Sequence, residues 1–150
     1  MNNFCTIYLV RHGQSEANEQ DLYGLDTALT SKGKEQIKLL SEKLRQIHFD
    51  ALMASSMLRA KQSAEIIAPD HDLAVKTYHA LRERHYGHLE GRKGKLVYEE
   101  LKELFQKRST LVYEERVKFK FSDDYESDEE LMARFITTLR EIAALYTQMR

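Results

Sequence analysis

Residues 4–18 of this chain read FCTIYLVRHGQSEAN, a short apolar run that is followed directly by polar residues and a glycine. Residues 4–10 do not alternate between apolar and polar side chains, which predicts a strand covered on both faces in a parallel or mixed sheet. Arg11, His12 and Gly13 then end the strand. Ligands of open α/β sheets bind beyond the carboxyl ends of the strands, so we expect His12 to lie at a binding site.

Arg11 and His12 together suggest phosphate chemistry at that point. A neutral imidazole is a competent nucleophile, and an adjacent guanidinium attracts a phosphate or a carboxylate. A plainer interpretation also fits, in which His12 is a hydrogen-bonded polar residue at the end of a strand. The tripeptide Arg11-His12-Gly13 therefore does not assign a function by itself.

Helix and strand patterns alternate in the next part of the chain. Thr30 and Ser31 can cap a helix, residues 49–54 predict a strand, and Pro69 ends a helix over residues 57–68. Residues 73–75 predict a weak third strand. The apolar stripe of the first of these helices is Ile37, Leu40, Leu44 and Ile47. This succession predicts an α/β fold with right-handed crossovers, in a single domain over residues 1–150.

The second half of the chain has a glycine-containing loop at residues 81–95 and further helices. Ser127 and Glu130 form a capping box, which predicts the start of a helix of about 22 residues. The residues that we expect this helix to bury are Leu131, Phe135, Leu139, Ile142 and Met149. A helix before it is predicted by Leu96, Leu101, Leu104 and Phe105.

Composition argues against several classes of protein. The chain has 23 Lys and Arg against 24 Asp and Glu, a formal net charge of −1, so no global basic field attracts nucleic acid. Cys5 has no second cysteine to pair with, and we expect it to be a small buried residue in a reducing compartment. No apolar run is long enough to cross a membrane and no secretory signal is visible, so we expect a cytoplasmic protein.

Four further groups of residues follow residues 9–18 in an order that matches a known family. They are Gly24 with Leu29-Thr30, Gly33 and Gln36; Ser55 with Arg59-Ala60; residues 83–91, which read ERHYGHLEG; and Glu126-Ser127 with Arg134. With these motifs the sequence closely resembles the histidine phosphatase superfamily, also called phosphoglycerate mutase-like, from residue 6 to about residue 140. The resemblance implies a three-layer sandwich, in which helices flank a mostly parallel central sheet.

The resemblance also implies roles for individual residues. His12 is expected to be the nucleophile that is phosphorylated on a ring nitrogen, Arg11 and Arg59 to hold the phosphoryl group, and Glu83 to be the general acid. The residues expected to bind substrate are Gln14, Ser15 and Asn18 on the rim of the phosphate pocket, with Arg84 and Tyr86. Arginines can neutralise phosphoryl charge without a metal, so no cofactor and no metal are implied.

One feature that the resemblance implies is missing from this sequence. The family has a second histidine late in the chain, in a strand that ends in Ser-His-Gly and packs beside the first strand. No Ser-His-Gly occurs here, and the five other histidines lie elsewhere in the motif order: His48, His71, His79, His85 and His88. We therefore expect the domain to be truncated at its C-terminus and its activity to be impaired, unless a rearrangement or a partner chain fills the gap.

Alternative functions remain open at this point. Within the resemblance, residues 83–87 are similar to the stretch of cofactor-dependent phosphoglycerate mutases that touches the substrate's carboxylate. The chain lacks the tryptophans of those mutases, however, and its region between Gly91 and the last helix is shorter than theirs, which favours a phosphatase of a small phosphorylated metabolite. Residues 82–95 hold five Arg and Lys against two Glu, so a catalytically impaired anion- or RNA-binding module is an alternative of another class. His85-x-x-His88 lacks the further ligands of a metal site. A homodimer is left open.

Overall fold

The structure is a computed structural model and describes residues 4–147. Two four-residue strands, seven helices and three short 3-10 turns make up its regular structure. In chain order the helices and strands are α1 (Glu16–Glu19), α2 (Ser31–Leu44), β1 (Leu52–Ser55), α3 (Leu58–Ile67), β2 (Val75–Tyr78), α4 (Gly94–Glu100), α5 (Lys102–Thr110), α6 (Tyr113–Arg116) and α7 (Asp128–Thr147). The 3-10 turns are Ala68–His71, His79–Leu81 and Gly87–Leu89.

Strands β1 and β2 are parallel neighbours, with Leu52 opposite Val75 and Ser55 opposite Tyr78. Helix α3 connects them, so the unit is strand, helix and parallel strand, as the sequence predicts. Helix α3 ends at Ile67, and Pro69 lies in the 3-10 turn that follows, because proline has no amide hydrogen to continue a helix. The predicted α/β class is confirmed, as a small parallel sheet flanked by helices.

The prediction of a buried strand at residues 4–10 is wrong. This segment has no strand assignment, and Phe4 and Leu9 are 79% and 72% exposed. Within the described residues, no backbone hydrogen bond joins residues 4–12 to another part of the chain, and β1 has a paired neighbour only in β2. The apolar side chains of residues 4–10 favour burial, but no strand within residues 4–147 pairs with this segment and buries them.

A cavity of about 1080 Å³ lies beside this segment. Residues 4–12 line it together with β1, α3 and the apolar face of α7. Small-molecule pockets are typically about 300–1,000 Å³ in volume, so the space is large even for a ligand site. Of the five apolar residues that we expected α7 to bury, Ile142 is buried, Met149 lies outside the described residues, and Leu131, Phe135 and Leu139 line the cavity while partly buried.

The buried apolar side chains form two small clusters. The first joins Leu29 and Ile37 to Ile67 between α2 and α3, with Leu40 and Leu44 packed against it. The second surrounds Leu89, Val97 and Tyr125, and the partly buried residues around it are Tyr23, Tyr86, Leu101 and Phe121. Helices α4 and α5 meet at Leu101, where the single helix that we predicted is divided in two.

Local capping signals agree with the sequence. The Ser127 hydroxyl accepts a hydrogen bond from the Glu130 amide at 3.2 Å, and the Glu130 carboxylate accepts one from the Ser127 amide at 2.8 Å, which confirms the capping box. The Thr30 hydroxyl likewise accepts from the Gly33 amide at 3.0 Å and begins α2.

No helix in residues 4–147 has the length and apolar character needed to cross a membrane.

The start of α2 packs directly against the loop after Val10. A Cβ atom at Gly33 would lie 2.0 Å from the Gln14 carbonyl oxygen, and one at Gly13 would lie 2.2 Å from the Gly33 carbonyl oxygen. Because the opposing atoms are backbone, no side-chain rotation can relieve such a contact. The first turn of α2 therefore holds the loop that carries His12 in place.

We expect Gly33→Ala to destabilise the protein. An alanine in a helix is normally favoured over glycine by roughly 0.5–1 kcal/mol, but overpacking costs about 1–3 kcal/mol, so the clash should dominate. Lys34→Ala, at an exposed position of the same turn, is the control and should change the free energy of unfolding by less than about 0.5 kcal/mol. Urea unfolding measures both, and a Gly33→Ala protein as stable as the wild type would contradict the contact.

Candidate active site

Arg59 is the central side chain of the candidate site. It is the second residue of α3, directly after the turn from β1, and it is only 4% exposed. Its Nε donates a hydrogen bond to His12 Nε2 at 3.0 Å, and its Nη1 donates one to the Leu25 carbonyl at 3.1 Å. Its Nη2 forms an ion pair with the Glu83 carboxylate. One guanidinium thus contacts both His12 and Glu83.

Asp26 is a second carboxylate beside the Arg59 charge. Its Oδ1 lies 3.8 Å from Arg59 Nη1 and also accepts a hydrogen bond from the Leu58 amide at 2.8 Å, which caps the start of α3. A buried guanidinium is costly unless it is paired, and the two carboxylates supply that pairing. Sequence reasoning missed Asp26, because it lies in a loop without periodicity.

The contacts of the His12 ring determine which nitrogen is free to react. Its Nδ1 lies 2.7 Å from the Gly13 carbonyl oxygen, which can only accept, so Nδ1 carries the proton. Nε2 accepts from Arg59 and is therefore the nitrogen with the lone pair. Burial lowers the pKa of the ring, and the charges of Arg59 and Arg11 lower it further, while the Gly13 hydrogen bond and Glu83 act in the opposite direction. The structure thus favours a neutral imidazole with a nucleophilic Nε2.

Ser63 fastens the His12 loop to α3. Its hydroxyl accepts a hydrogen bond from the Gly13 amide at 3.3 Å and donates one to the Arg59 carbonyl at 2.8 Å. Ser63 is buried and lies one turn after Arg59. The relative position of His12 and Arg59 is therefore set by backbone contacts as well as by their side chains.

Arg11 is the exposed cation of the site. It lines the large cavity and also a polar groove that it shares with Gln14 and Asn18. Within residues 4–147 its side chain makes neither an ion pair nor a hydrogen bond, although its charge contributes to lowering the pKa of His12. Arg11 is thus available to an incoming anion beside the His12 ring.

The three residues that we expected on the rim make local contacts. Ser15 is fully buried, and its hydroxyl accepts from the Asn18 amide while the Asn18 side chain accepts from the Ser15 amide, a capping box for α1. Gln14 Oε1 accepts a hydrogen bond from the Thr30 hydroxyl at 3.0 Å. These contacts shape the loop after His12, and the exposed Asn18 lies beside Arg11 in the polar groove.

Tyr86 holds the other oxygen of Glu83. Its hydroxyl donates to Glu83 Oε1 at 2.8 Å, and burial followed by the nearby Glu83 charge raises the pKa of Tyr86, so the hydroxyl stays protonated. The Tyr86 ring packs at 4.4 Å from that of Tyr23. A Cβ at Gly24, which has a φ of +63°, would lie 2.2 Å from the Tyr86 ring, so only glycine fits there.

Arg84 lines the same cavity as His12, but its hydrogen bonds go to the start of α7. It donates to the Glu126 carbonyl at 2.7 Å and to Asp128 at 2.5 Å. Two other cations of residues 82–95 are also paired, Arg82 with Asp26 and Arg92 with Glu100. This pairing reduces the basic character of the segment as a surface for RNA.

His85 and His88 both contact Asp124 instead of converging on a common point. His85 Nδ1 lies 3.1 Å from the Asp124 carbonyl oxygen, and His88 Nδ1 lies 3.0 Å from the Asp124 carboxylate. Across residues 4–147, no group of three or more His, Cys, Asp or Glu side chains is placed to hold a metal ion.

Curated proteins similar to this chain include both mutases and phosphatases. A phosphoglycerate mutase from Candida albicans is 40% identical over 93 residues, which cover 57% of this chain and 38% of that protein. An adenosylcobalamin/α-ribazole phosphatase from Escherichia coli is 34% identical over 88 residues, covering 57% of this chain and 43% of that protein. The chain thus matches about two fifths of the length of these relatives.

Similar solved structures show the fold of the chain, and a family comparison shows the superfamily. A putative α-ribazole-5′-phosphate phosphatase from Escherichia coli superposes with a TM-score of 0.71 at 27% identity, covering 89% of this chain and 66% of the other. A phosphoglycerate mutase from Bacillus anthracis has a TM-score of 0.79 at 20% identity, covering 91% and 66%, which shows a shared fold. Residues 7–150 match the histidine phosphatase superfamily (branch 1), and the chain therefore belongs to that superfamily.

Proposed function

We propose that this protein is a phosphomonoester hydrolase that acts on a small phosphorylated metabolite through a phosphohistidine at His12. The observation that carries the proposal is the Arg59 guanidinium, which contacts His12 Nε2 and the Glu83 carboxylate at once. A nucleophile, a phosphate-binding cation and a proton donor are the three groups that phosphoryl transfer through an enzyme side chain requires.

The first half of the reaction transfers the phosphoryl group to the protein. Arg11 and Arg59 bind the phosphate oxygens, and His12 Nε2 attacks phosphorus as the bond from phosphorus to the ester oxygen breaks. Glu83 gives a proton to the departing oxygen, which leaves as an alcohol. This donation requires the protonated acid, a form that the negative charge of a bound phosphate favours.

The second half of the reaction returns the protein to its starting state. Water attacks the phosphorus of phosphohistidine, and Glu83 accepts a proton from that water as the bond to Nε2 breaks. Inorganic phosphate leaves, and the lone pair returns to Nε2. The proton stays on Nδ1, which donates to the Gly13 carbonyl throughout, and this hydrogen bond keeps the ring in the tautomer with a nucleophilic Nε2.

Arg59 changes partners when substrate binds. In the structure its Nε is directed at His12 Nε2, the position from which the lone pair must attack. A phosphate oxygen competes for this donor because it carries more negative charge than a neutral imidazole. Substrate binding therefore frees the nucleophile and places the guanidinium on the phosphoryl group in the same movement.

A phosphoglycerate mutase-type phosphotransfer is the second candidate function. The mutase relatives reach 40% identity, compared with 34% for the α-ribazole phosphatase of Escherichia coli. The two reactions share the phosphohistidine and differ in whether water or a second substrate hydroxyl takes the phosphoryl group. Release of inorganic phosphate, against recovery of a rearranged ester, separates them directly.

We predict that hydrolysis of phosphate esters, measured with chelator present, depends on His12 and, for an alkyl ester, on Glu83. His12→Ala should reduce the rate to background and remove an alkali-stable phosphoprotein, since it lacks the nucleophile. Glu83→Gln should slow hydrolysis of an alkyl phosphate by about 10²–10⁴-fold, the usual contribution of a general acid. Glu65→Gln, an exposed carboxylate on α3, should behave like the wild type. Turnover by His12→Ala at the wild-type rate would refute the proposal.

We propose that the cavity beside residues 4–12 is the binding site of a further strand. Its lining includes His12, Arg59 and Glu83, so a segment lying in it would reach the candidate site. The resemblance to the superfamily implies a strand beside residues 4–10 that ends in Ser-His-Gly. We propose that such a strand pairs with residues 4–10, whose backbone bonds to no other part of the described chain, and brings its histidine to the phosphoryl group.

A peptide supplied in trans tests this role of the cavity. We predict that a β-branched seven-residue strand ending in Ser-His-Gly raises turnover of the 150-residue chain by about 10²–10³-fold, the typical worth of one positioned charge-stabilising donor. The same peptide ending in Ser-Ala-Gly is the matched control and should raise turnover much less. An equal effect of both peptides, or no effect at saturation, would contradict the proposal.

A further inference from the structure

Arg134 in α7 uses all of its hydrogen-bond donors on one short stretch of chain and one carboxylate. Its Nη1 donates to the carbonyl oxygens of Ala80 at 2.8 Å and Arg82 at 2.7 Å, and its Nη2 donates to the carbonyl oxygen of Glu83 at 3.1 Å. Its remaining two hydrogens go to Glu126, at 2.5 Å from Nε and 2.8 Å from Nη2. A guanidinium has five N–H donors, and all five are engaged.

Glu126 completes the arrangement from the other side. Besides Arg134, its Oε2 accepts a hydrogen bond from the His85 amide at 3.0 Å. The side chains of Arg134 and Glu126 are 25% and 13% exposed, so solvent competes weakly for these bonds. Together the pair holds three carbonyls and one amide between residues 80 and 85, with Glu83 inside the stretch.

Two backbone hydrogen bonds hold the ends of this stretch, from the Arg82 amide to the His79 carbonyl at 3.0 Å and from the Glu126 amide to the His85 carbonyl at 2.9 Å, and neither involves Glu83. Between β2 and α4 the regular structure consists of the 3-10 turns His79–Leu81 and Gly87–Leu89, and Glu83 lies in neither. A strand would fix its backbone through a ladder and a helix through its internal bonds, but here a side chain supplies the partners. Arg59 and Tyr86 hold the Glu83 carboxylate, and Arg134 holds the backbone from which that carboxylate extends.

We propose that Arg134 is a positioning residue for Glu83, acting with Glu126 and touching none of the reacting atoms. This inference rests on the proposed function of Glu83 as the general acid. Lysine cannot replace arginine here, because an ammonium offers three donors from one point, whereas the planar guanidinium reaches carbonyls in several directions. Loss of the arrangement should displace Glu83, and an error of about 1 Å in a reacting group can cost about 10²-fold in rate.

The dependence of the rate on the leaving group distinguishes positioning from a general loss of folded protein. We expect Arg134→Lys to reduce kcat/KM for an alkyl phosphate, which needs protonation of its leaving oxygen, by about 10–100-fold. For an aryl phosphate with an acidic phenol, which needs little protonation, kcat/KM should change by less than about threefold. Arg140→Gln, an exposed arginine on the same helix, should leave both values unchanged.

Glu83→Gln provides the comparison that separates this inference from the proposed function. If Glu83→Gln shows the leaving-group dependence and Arg134→Lys does not, the positioning role is wrong and the proposed function stands. If Glu83→Gln itself shows none, the proposed general acid is wrong. Equal loss for both esters in Arg134→Lys would show a purely structural role and overturn the inference.

Amide hydrogen exchange gives a readout that needs no turnover. In Arg134→Lys we expect the amide of His85 to exchange at least about tenfold faster, because an ammonium cannot make the two-point contact by which the guanidinium holds Glu126 in place. Amides of α3 and the free energy of unfolding should change little, as in Arg140→Gln. Unchanged exchange at His85 would contradict the inference, even in a protein with no measurable activity.

Discussion

The buried charge of Arg59 is the constraint on which the candidate site depends. A guanidinium that is 4% exposed has lost most of its water, so the chain must surround it with partners. Those partners are the Glu83 carboxylate, the Leu25 carbonyl, the Asp26 carboxylate and the His12 ring. Satisfying one charge therefore brings together the groups that the proposed phosphoryl transfer would use, and also biases the His12 ring toward its neutral form.

The partners of Arg59 come from distant parts of the sequence, and the small parallel sheet brings them together. His12 lies 47 residues before Arg59, and Glu83 lies 24 residues after it. Arg59 follows β1 through a short turn, and the loop with Glu83 follows β2, which pairs with β1. Two adjacent parallel strands thus deliver Arg59 and Glu83 to the same edge, while Gly13 and Ser63 fix the His12 loop against α3.

Local signals in the sequence predicted local structure well. Ser127 with Glu130 and Pro69 act through neighbouring backbone groups, so their effects could be predicted without knowledge of the fold. The prediction of a buried strand at residues 4–10 was wrong, because an apolar composition shows that a segment favours burial and does not show that another strand lies beside it. Asp26 and Arg134 act across long sequence separations, on a charge and a loop that no local pattern indicates. The roles of His12, Arg59 and Glu83 rest on the family resemblance, and their mutual contacts support those roles.

The state of the His12 ring is the most direct test of this account. In protein labelled with ¹⁵N at histidine, long-range ¹H–¹⁵N NMR reports which ring nitrogen is protonated, and His12→Ala identifies the signals. At neutral pH the account predicts a proton on Nδ1 and none on Nε2, because Gly13 accepts from Nδ1 and Arg59 donates to Nε2. As the pH falls, the second proton should bind with a pKa below the ordinary value of 6.5, because burial disfavours the charged ring. A neutral ring with its proton on Nε2, or a pKa at or above 6.5, would contradict it.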